Sequence, residues 1–274
     1  MLKRLLTFRW IITTLLVIAG VGVLIRLGIW QLDRLEWRRA FNARVTAQMT
    51  APALDLNASQ SVDELYDMEY RSVTVTGRYD FSQEVLLRNQ VWGNRLGFHV
   101  LTPLQVTGTD WYVLVERGWI PFEDAADREK YYETGTVAVQ GMIRRSLEKP
   151  DFGGVPDPTL APGETRLDAW NVVNMPRVTA QSGLKLLPIY IDQAPDTAWT
   201  NLPYRSLPEI EISEGPHQGY ALQWFTFAAI LGLGYPFFVR WQLNRQSRQA
   251  EDQPVVISGQ TEVSRGSWKD EWNE

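Results

Sequence analysis

The chain has no cysteine, two histidines and five scattered methionines among 274 residues. Without thiols it can form no disulfide, no thiolate metal site and no thiol–disulfide couple. His99 and His217 are the whole imidazole complement, too few for a structural zinc or a copper-carrying site, and neither metal is expected. Catalytic motifs are equally scarce: there is no G-x-S-x-G, Walker loop or H-E-x-x-H. The GLG at 232–234 lies inside an apolar run and cannot open a dinucleotide-binding turn. His99, mid-strand in GFHVLTP, reads as a core or surface histidine. The carboxylates Glu123 and Asp127 read as a solvated loop face rather than an acid–base pair. The parts of an enzyme are missing, and the chain is expected not to be one. Basic excess is missing too: a net charge of −5 argues against a nucleic-acid partner.

What the chain does have is two long apolar runs near its ends. The C-terminal run, Tyr220 to Val239, carries no charge and is closed by Arg240. At about 1.5 Å per residue it spans about 30 Å, the thickness of a bilayer hydrocarbon core. The N-terminal run lies between Arg9 and Arg26 and extends to Trp30, with Arg26 snorkelling to the interface. No A-x-A-like cleavage site follows it, so it reads as an uncleaved anchor. Twelve tryptophans are present; Trp10, Trp30, Trp224 and Trp241 fall at the expected membrane boundaries, where amphipathic rings settle. Arg240, Arg245 and Arg248 after the second run place both termini in the cytoplasm and the intervening domain outside.

Between the runs the hydrophobic period changes. Residues 27–48 lack proline and place Leu27, Trp30, Arg34, Trp37, Arg38, Phe41 and Val45 on one face of a helix that continues outward. That face reads as a headgroup-level belt, or as a docking face for a partner helix or anionic ligand. Residues 51–69 read as a polar linker. From residue 71 the period is two, in RSVTVTGRYD, EVLLRNQVW, FHVLTPLQV, WYVLVERGWIP and TVAVQGMIRR, with short turns between. Residues 150–164 are rich in Pro and Gly and read as an exposed excursion; Met175–Gly183 is bracketed by proline and glycine as a short helix, and KLLPIYID is a last strand. The expected fold is an α+β membrane protein: two transmembrane helices flanking a mainly antiparallel β domain, barrel or sandwich. The boundaries are 1–9 cytoplasmic, 10–30 and 217–239 transmembrane, 31–48 a helical extension, 49–216 the extracytoplasmic β domain, and 240–274 a largely disordered cytoplasmic tail.

His217 stands apart by position. Tyr220, Ala221, Trp224, Ala228, Leu231 and Tyr235 lie within about 60° of it in helical projection. Small residues there admit something flat or helical. An imidazole at the mouth of such a groove can ligate haem iron, or it can simply cap the helix at the interface.

Several segments together resemble the Surfeit locus protein 1 family: LGIWQLDRLEWRRA, LLRNQVWGNRLGFHVLTPL, VLVERGWIP and PHQGYALQWFTFA. His217, Tyr220, Gln223, Trp224 and Phe225 match its H-x-x-Y-A-x-Q-W-F motif, and Trp30, Gln31, Arg34 and Trp37 match its first-helix motif. Two departures stand out, SEGPHQG before the histidine and Glu116-Arg117-Gly118-Trp119 in place of N-R-G-W. The resemblance implies a membrane-anchored assembly factor for haem–copper cytochrome c oxidase, with subunit I and haem a synthase as partners in the cytoplasmic or inner membrane. It implies haem a as ligand, with His217 on the iron beside Tyr220 and Trp224. Arg34 and Arg38 are the candidate partners for the propionates. A scaffold that stabilises oxidase subunits without touching haem is the competing expectation, and a membrane-anchored enzyme of unknown reaction a third.

Overall fold

Strict alternation from residue 72 onward builds a β-barrel. In the computed structural model, which describes residues 7–58, 62–150, 153–160 and 162–251, the ring strands are β2 (Ser72–Tyr79), β4 (Arg95–Val106), β5 (Tyr112–Pro121), β6 (Val137–Arg145) and β8 (Leu186–Gln193). They pair β2–β6–β8–β5–β4, and β2–β4 closes the circle. All these pairings are antiparallel except β5–β8, which is parallel. A parallel neighbour needs a long crossover, and residues 122–185 supply it. Each ring strand sends alternate side chains inward: Val73 and Val75, Leu104 and Val106, Val113 and Val115, Val139 and Ile143, Ile189 and Ile191 are buried together.

The remaining strands lie at the flanks of the ring. β1 (Leu54–Asp55) runs parallel to β2; β3 (Val85–Trp92) forms a hairpin with β4 and runs parallel to β7 (Ala169–Trp170). Of the helices, α1 is Phe8–Thr50, α2 Val62–Leu65, α3 Met175–Ser182 and α4 His217–Glu251. The Pro/Gly signal for α3 is realised: the Asn174 side chain accepts from the N–H of Arg177, Pro176 sits in the first turn, and Gly183 ends the helix at φ 68°. Together α3 and residues 167–173 cover the outer face of the barrel at Val85, Leu101, Leu114 and Leu186.

One expectation needs correction. Residues 51–69 are not a surface linker: Leu54, Leu56 and Leu65 are buried in the barrel core. Their apolar side chains are isolated among polar neighbours, which masks the period in the sequence. The Pro/Gly-rich excursion is largely exposed, as expected, and is anchored at Asp157. The Asp157 carboxylate accepts the backbone N–H of Asn171 at 2.5 Å and of Val172 at 3.2 Å, and pairs with Arg177 at 3.0 Å. The segment Phe122–Tyr131 is 3₁₀-helical, interrupted at Asp127.

The described chain divides into a helical unit, residues 7–36 and 215–251, and the β unit, Trp37–Glu214. In the helical unit α1 and α4 run antiparallel. Trp10 meets Phe238 at 6.5 Å between rings, the hydroxyls of Thr14 and Tyr235 bond at 2.7 Å, and Gly28 faces the ring of Phe225. A Cβ on Gly28 would lie 2.6 Å from that ring, so only glycine allows this approach. Outward, Leu15, Leu16, Ile18, Leu222, Ile230, Leu233 and Phe237 are exposed. Both helices have the length and apolarity of membrane spans. As expected, α1 continues unbroken beyond its apolar part; α4 continues past Val239 to Glu251, and residues 252–274 lie outside the described residues.

Candidate functional site

α4 starts just after Pro216, whose carbonyl accepts the N–H of Tyr220 at 3.1 Å. Antiparallel pairing then sets His217 beside Gln31. Nδ1–H of His217 donates to Oε1 of Gln31 at 2.8 Å, and Gln31 is buried. The bond satisfies the buried amide oxygen and fixes the ring tautomer, leaving the lone pair on Nε2 for another partner. An amide oxygen on Nδ1 can orient an imidazole toward a partner on Nε2.

The strip of small residues below His217 has a helical occupant. Ala221 and Ala228 are buried, Leu231 packs at Gly20, and Tyr235 bonds Thr14, so α1 fills the groove along this face. Of the two readings left open, the helical partner is the one observed. Tyr220 is exposed, and Trp224 is half-buried in edge-to-face contact with Phe227 at 6.2 Å. Any flat ligand of His217 therefore approaches from the solvent or lipid side of the pair.

The arginines part company. Arg34 is exposed on α1, one turn beyond Gln31. Arg38 belongs to the β unit, where its Nε donates to the carbonyl of Ser213 at 2.8 Å and its Nη2 to that of Glu211 at 3.1 Å. Next to it Arg39 forks onto the Glu214 carboxylate at 2.9 and 2.8 Å. These two arginines hold the returning chain just before α4. Gln31 is the residue that reading the sequence missed as a partner of His217, although it stands inside the first-helix motif.

The β unit holds two polar clusters. At a bulge between β4 and β5, Arg117 has no partner in register, and its guanidinium is fully buried. It binds Glu84 at 3.2 Å and Glu133 at 3.2 Å and lies over the rings of Tyr79 and Phe81. Glu84 also accepts from Thr102 at 2.6 Å and Arg128 at 3.2 Å. Burial raises the Glu84 pKa against the pull of these donors. The second cluster sits where β4, β5, β6 and β8 adjoin. His99 Nδ1 meets Glu116 at 2.5 Å, and Arg144 stands 3.6 Å from Asp192. Burial, then the nearby Glu116, pushes Asp192 well above the usual carboxylate range. Among the described residues no group of three or more His, Cys, Asp or Glu side chains is arranged to hold a metal ion.

Comparison with known proteins adds lineage to this geometry. The model of the SURF1 family matches residues 18–229, a stretch holding both Gln31 and His217. A SURF1-like protein of Caenorhabditis briggsae is 22% identical over 251 residues, covering 83% of this chain and 75% of the relative. Surfeit locus protein 1 of Mus musculus is 25% identical, covering 78% and 72%. Cytochrome oxidase assembly protein SHY1 of Saccharomyces cerevisiae is 33% identical over 100 residues, 36% of this chain and 26% of its own.

Proposed function

This chain belongs to the SURF1 family, and on that premise we propose that it serves in assembling a haem–copper cytochrome c oxidase, binding haem a and aiding its delivery to or retention at subunit I. A relative bears the name cytochrome oxidase assembly protein, which supports the assembly role. The observation that carries the haem part is the bond from His217 to Gln31, which leaves Nε2 as a directed lone pair, with Tyr220 exposed one turn along the same helix. A porphyrin fills the equatorial positions of its own iron, so a single oriented imidazole meets the need that a bare metal ion's ligand cluster would otherwise meet. The residues present therefore fit the group as cargo. The haem would supply the redox iron of the oxidase; His217 would hold it through Nε2, Gln31 would orient the imidazole, and Arg34 would meet a propionate. Arg34 is the propionate partner best placed on the helical unit, whereas Arg38 can reach a propionate only by releasing its two carbonyl partners.

In this reading residues 10–30 and 217–239 cross the cytoplasmic or inner membrane, and the β domain stands on the extracytoplasmic side, where subunit I and haem a synthase meet it. The role is one of binding and hand-over rather than catalysis. The test is a reduced-minus-oxidised visible spectrum of the full chain, purified in detergent after co-expression with haem a synthesis, beside His217→Ala. A haem band in the parent that the variant loses is expected. A band of equal size in both would sink the assignment of His217.

A scaffold reading rests on a separate observation: Trp30 and Trp37 are large aromatics left exposed on α1. If they dock an oxidase subunit, photo-crosslinkers at these positions will capture subunit I even in the His217→Ala chain.

A further inference from the structure

A cleft of about 640 Å³ lies at the end of the helical unit away from His217, within the roughly 300–1,000 Å³ range of ligand pockets. Pro236, Val239 and Leu243 make its apolar wall, the Thr14–Tyr235 hydroxyl pair lies at one end, and Arg240 and Asn244 line the other. Arg240 is the residue that closes the apolar run, the position where a span leaves hydrocarbon for headgroups. We propose that this cleft binds one anionic glycerophospholipid, its acyl chain along Pro236 and Val239 and its phosphate on Arg240 and Asn244.

Charge singles out that occupant. No Asp or Glu stands between Thr7 and Leu32 or between His217 and Ala250, while Arg9, Arg240, Arg245 and Arg248 all fall in these stretches. Glu251, the carboxylate that ends α4, stands about three turns beyond Arg240, so the potential at the cleft itself is positive and selects an anionic headgroup over a zwitterionic one. Arg245 lies over the ring of Trp241 at 5.5 Å, while Arg240 is the arginine that lines the cleft. The apolar wall below Arg240 selects a headgroup that carries a chain over a free anion. The inference rests on the reading that α1 and α4 cross a membrane, and it is independent of haem.

The test is native mass spectrometry of the full chain, with phosphatidylglycerol, phosphatidylcholine and inorganic phosphate as probes. One phosphatidylglycerol retained about fivefold or more over phosphatidylcholine is expected, the factor that one basic side chain near the surface contributes, with no competition from phosphate. Arg240→Gln should lose that preference, and Val239→Trp should lose the lipid with the arginine intact. Arg248→Gln, outside the cleft, should change neither. Equal retention of both lipids by the parent chain would overturn the site. So would displacement by phosphate, or an equal loss in Arg248→Gln and Arg240→Gln. Carbonate extraction of the same membranes reports insertion separately, so a failed site is not confused with a failed membrane reading.

Discussion

Gln31 Oε1 accepts the Nδ1–H of His217 at 2.8 Å, joining residues 186 positions apart. If this bond orients the imidazole for a ligand on Nε2, Gln31→Leu should free the ring while Gln31→Glu keeps an acceptor. Loss of such a supporting partner costs about 10–100-fold in metal affinity. Haem retention should fall by that factor in Gln31→Leu and far less in Gln31→Glu. Nitrogen-15 spectra of the haem-free chain give an independent readout, with the Nδ1–H tautomer dominant in the parent and mixed in Gln31→Leu. A mixed tautomer in the parent would refute the orienting role.

Arg117 and Glu84 form an ion pair with almost no exposed side-chain surface. Taking one charge away leaves the other buried with one oppositely charged partner fewer, Arg117 keeping Glu133 and Glu84 keeping Arg128, and breaking such a pair costs up to about 3–5 kcal/mol. Glu84→Gln should therefore destabilise the barrel by that amount in denaturant titration of the full chain. Replacing both residues together, Glu84→Leu with Arg117→Met, should cost much less than the sum of the two single changes, since no orphan charge remains.

The legible and illegible parts of this molecule divide by range. β2, β4, β5, β6 and β8 announce themselves through a local period of two, and α3 through Pro176 and Gly183. Closure does not: Gly77 pairs with Val106 and Tyr79 with Leu104, and no local signal marks such a contact. Composition also misplaces charge. Arg117 stands in the VLVERGWIP motif, where its residue type suggests a surface, yet a bulge and three carboxylate or carbonyl partners bring it into the core. His217 is conspicuous as one of two histidines, whereas its partner Gln31 is an ordinary polar residue until the helices pair. Arg38 shares a helical face with Arg34 by projection, but the carbonyls of Glu211 and Ser213 claim it.

Trp119, next to Gly118, and Tyr204 bridge through two backbone bonds, Trp119 N–H to Tyr204 O at 2.8 Å and Tyr204 N–H to Trp119 O at 2.9 Å. Gly118 has φ 129°, and a Cβ there would fall 2.5 Å from the Tyr204 carbonyl oxygen. Gly108 also has positive φ, but a Cβ on it would meet open space. Gly108→Ala should thus show backbone strain alone, about 1 kcal/mol, and Gly118→Ala strain plus clash, about 2 kcal/mol or more. Equal costs in thermal unfolding would show that the bridge yields without penalty.

Asp192 supplies the sharpest pH dependence. Burial is the main cause of its raised pKa, then the charge of Glu116; Arg144 opposes these, and Glu69 adds to them. Tyr190, also raised by burial, and His99, bonded to Glu116, complete the neighbourhood. The folded chain therefore holds the Asp192 proton at pH values where the unfolded chain has released it. Where the native state binds more protons, stability falls as pH rises. The loss begins at the ordinary aspartate pKa and runs up to the raised one, with a limiting slope of about 1.4 kcal/mol per pH unit. Below that window both states are protonated and the slope vanishes. Asp192→Asn keeps the shape and removes the titration, so its stability should decline less steeply with pH than the parent's. Glu84, also raised by burial, contributes a slope of the same sign to both chains and cancels in their difference. Unfolding midpoints of the full chain measured from the aspartate range upward decide the matter: parallel curves would mean that Asp192 ionises as freely in the fold as outside it.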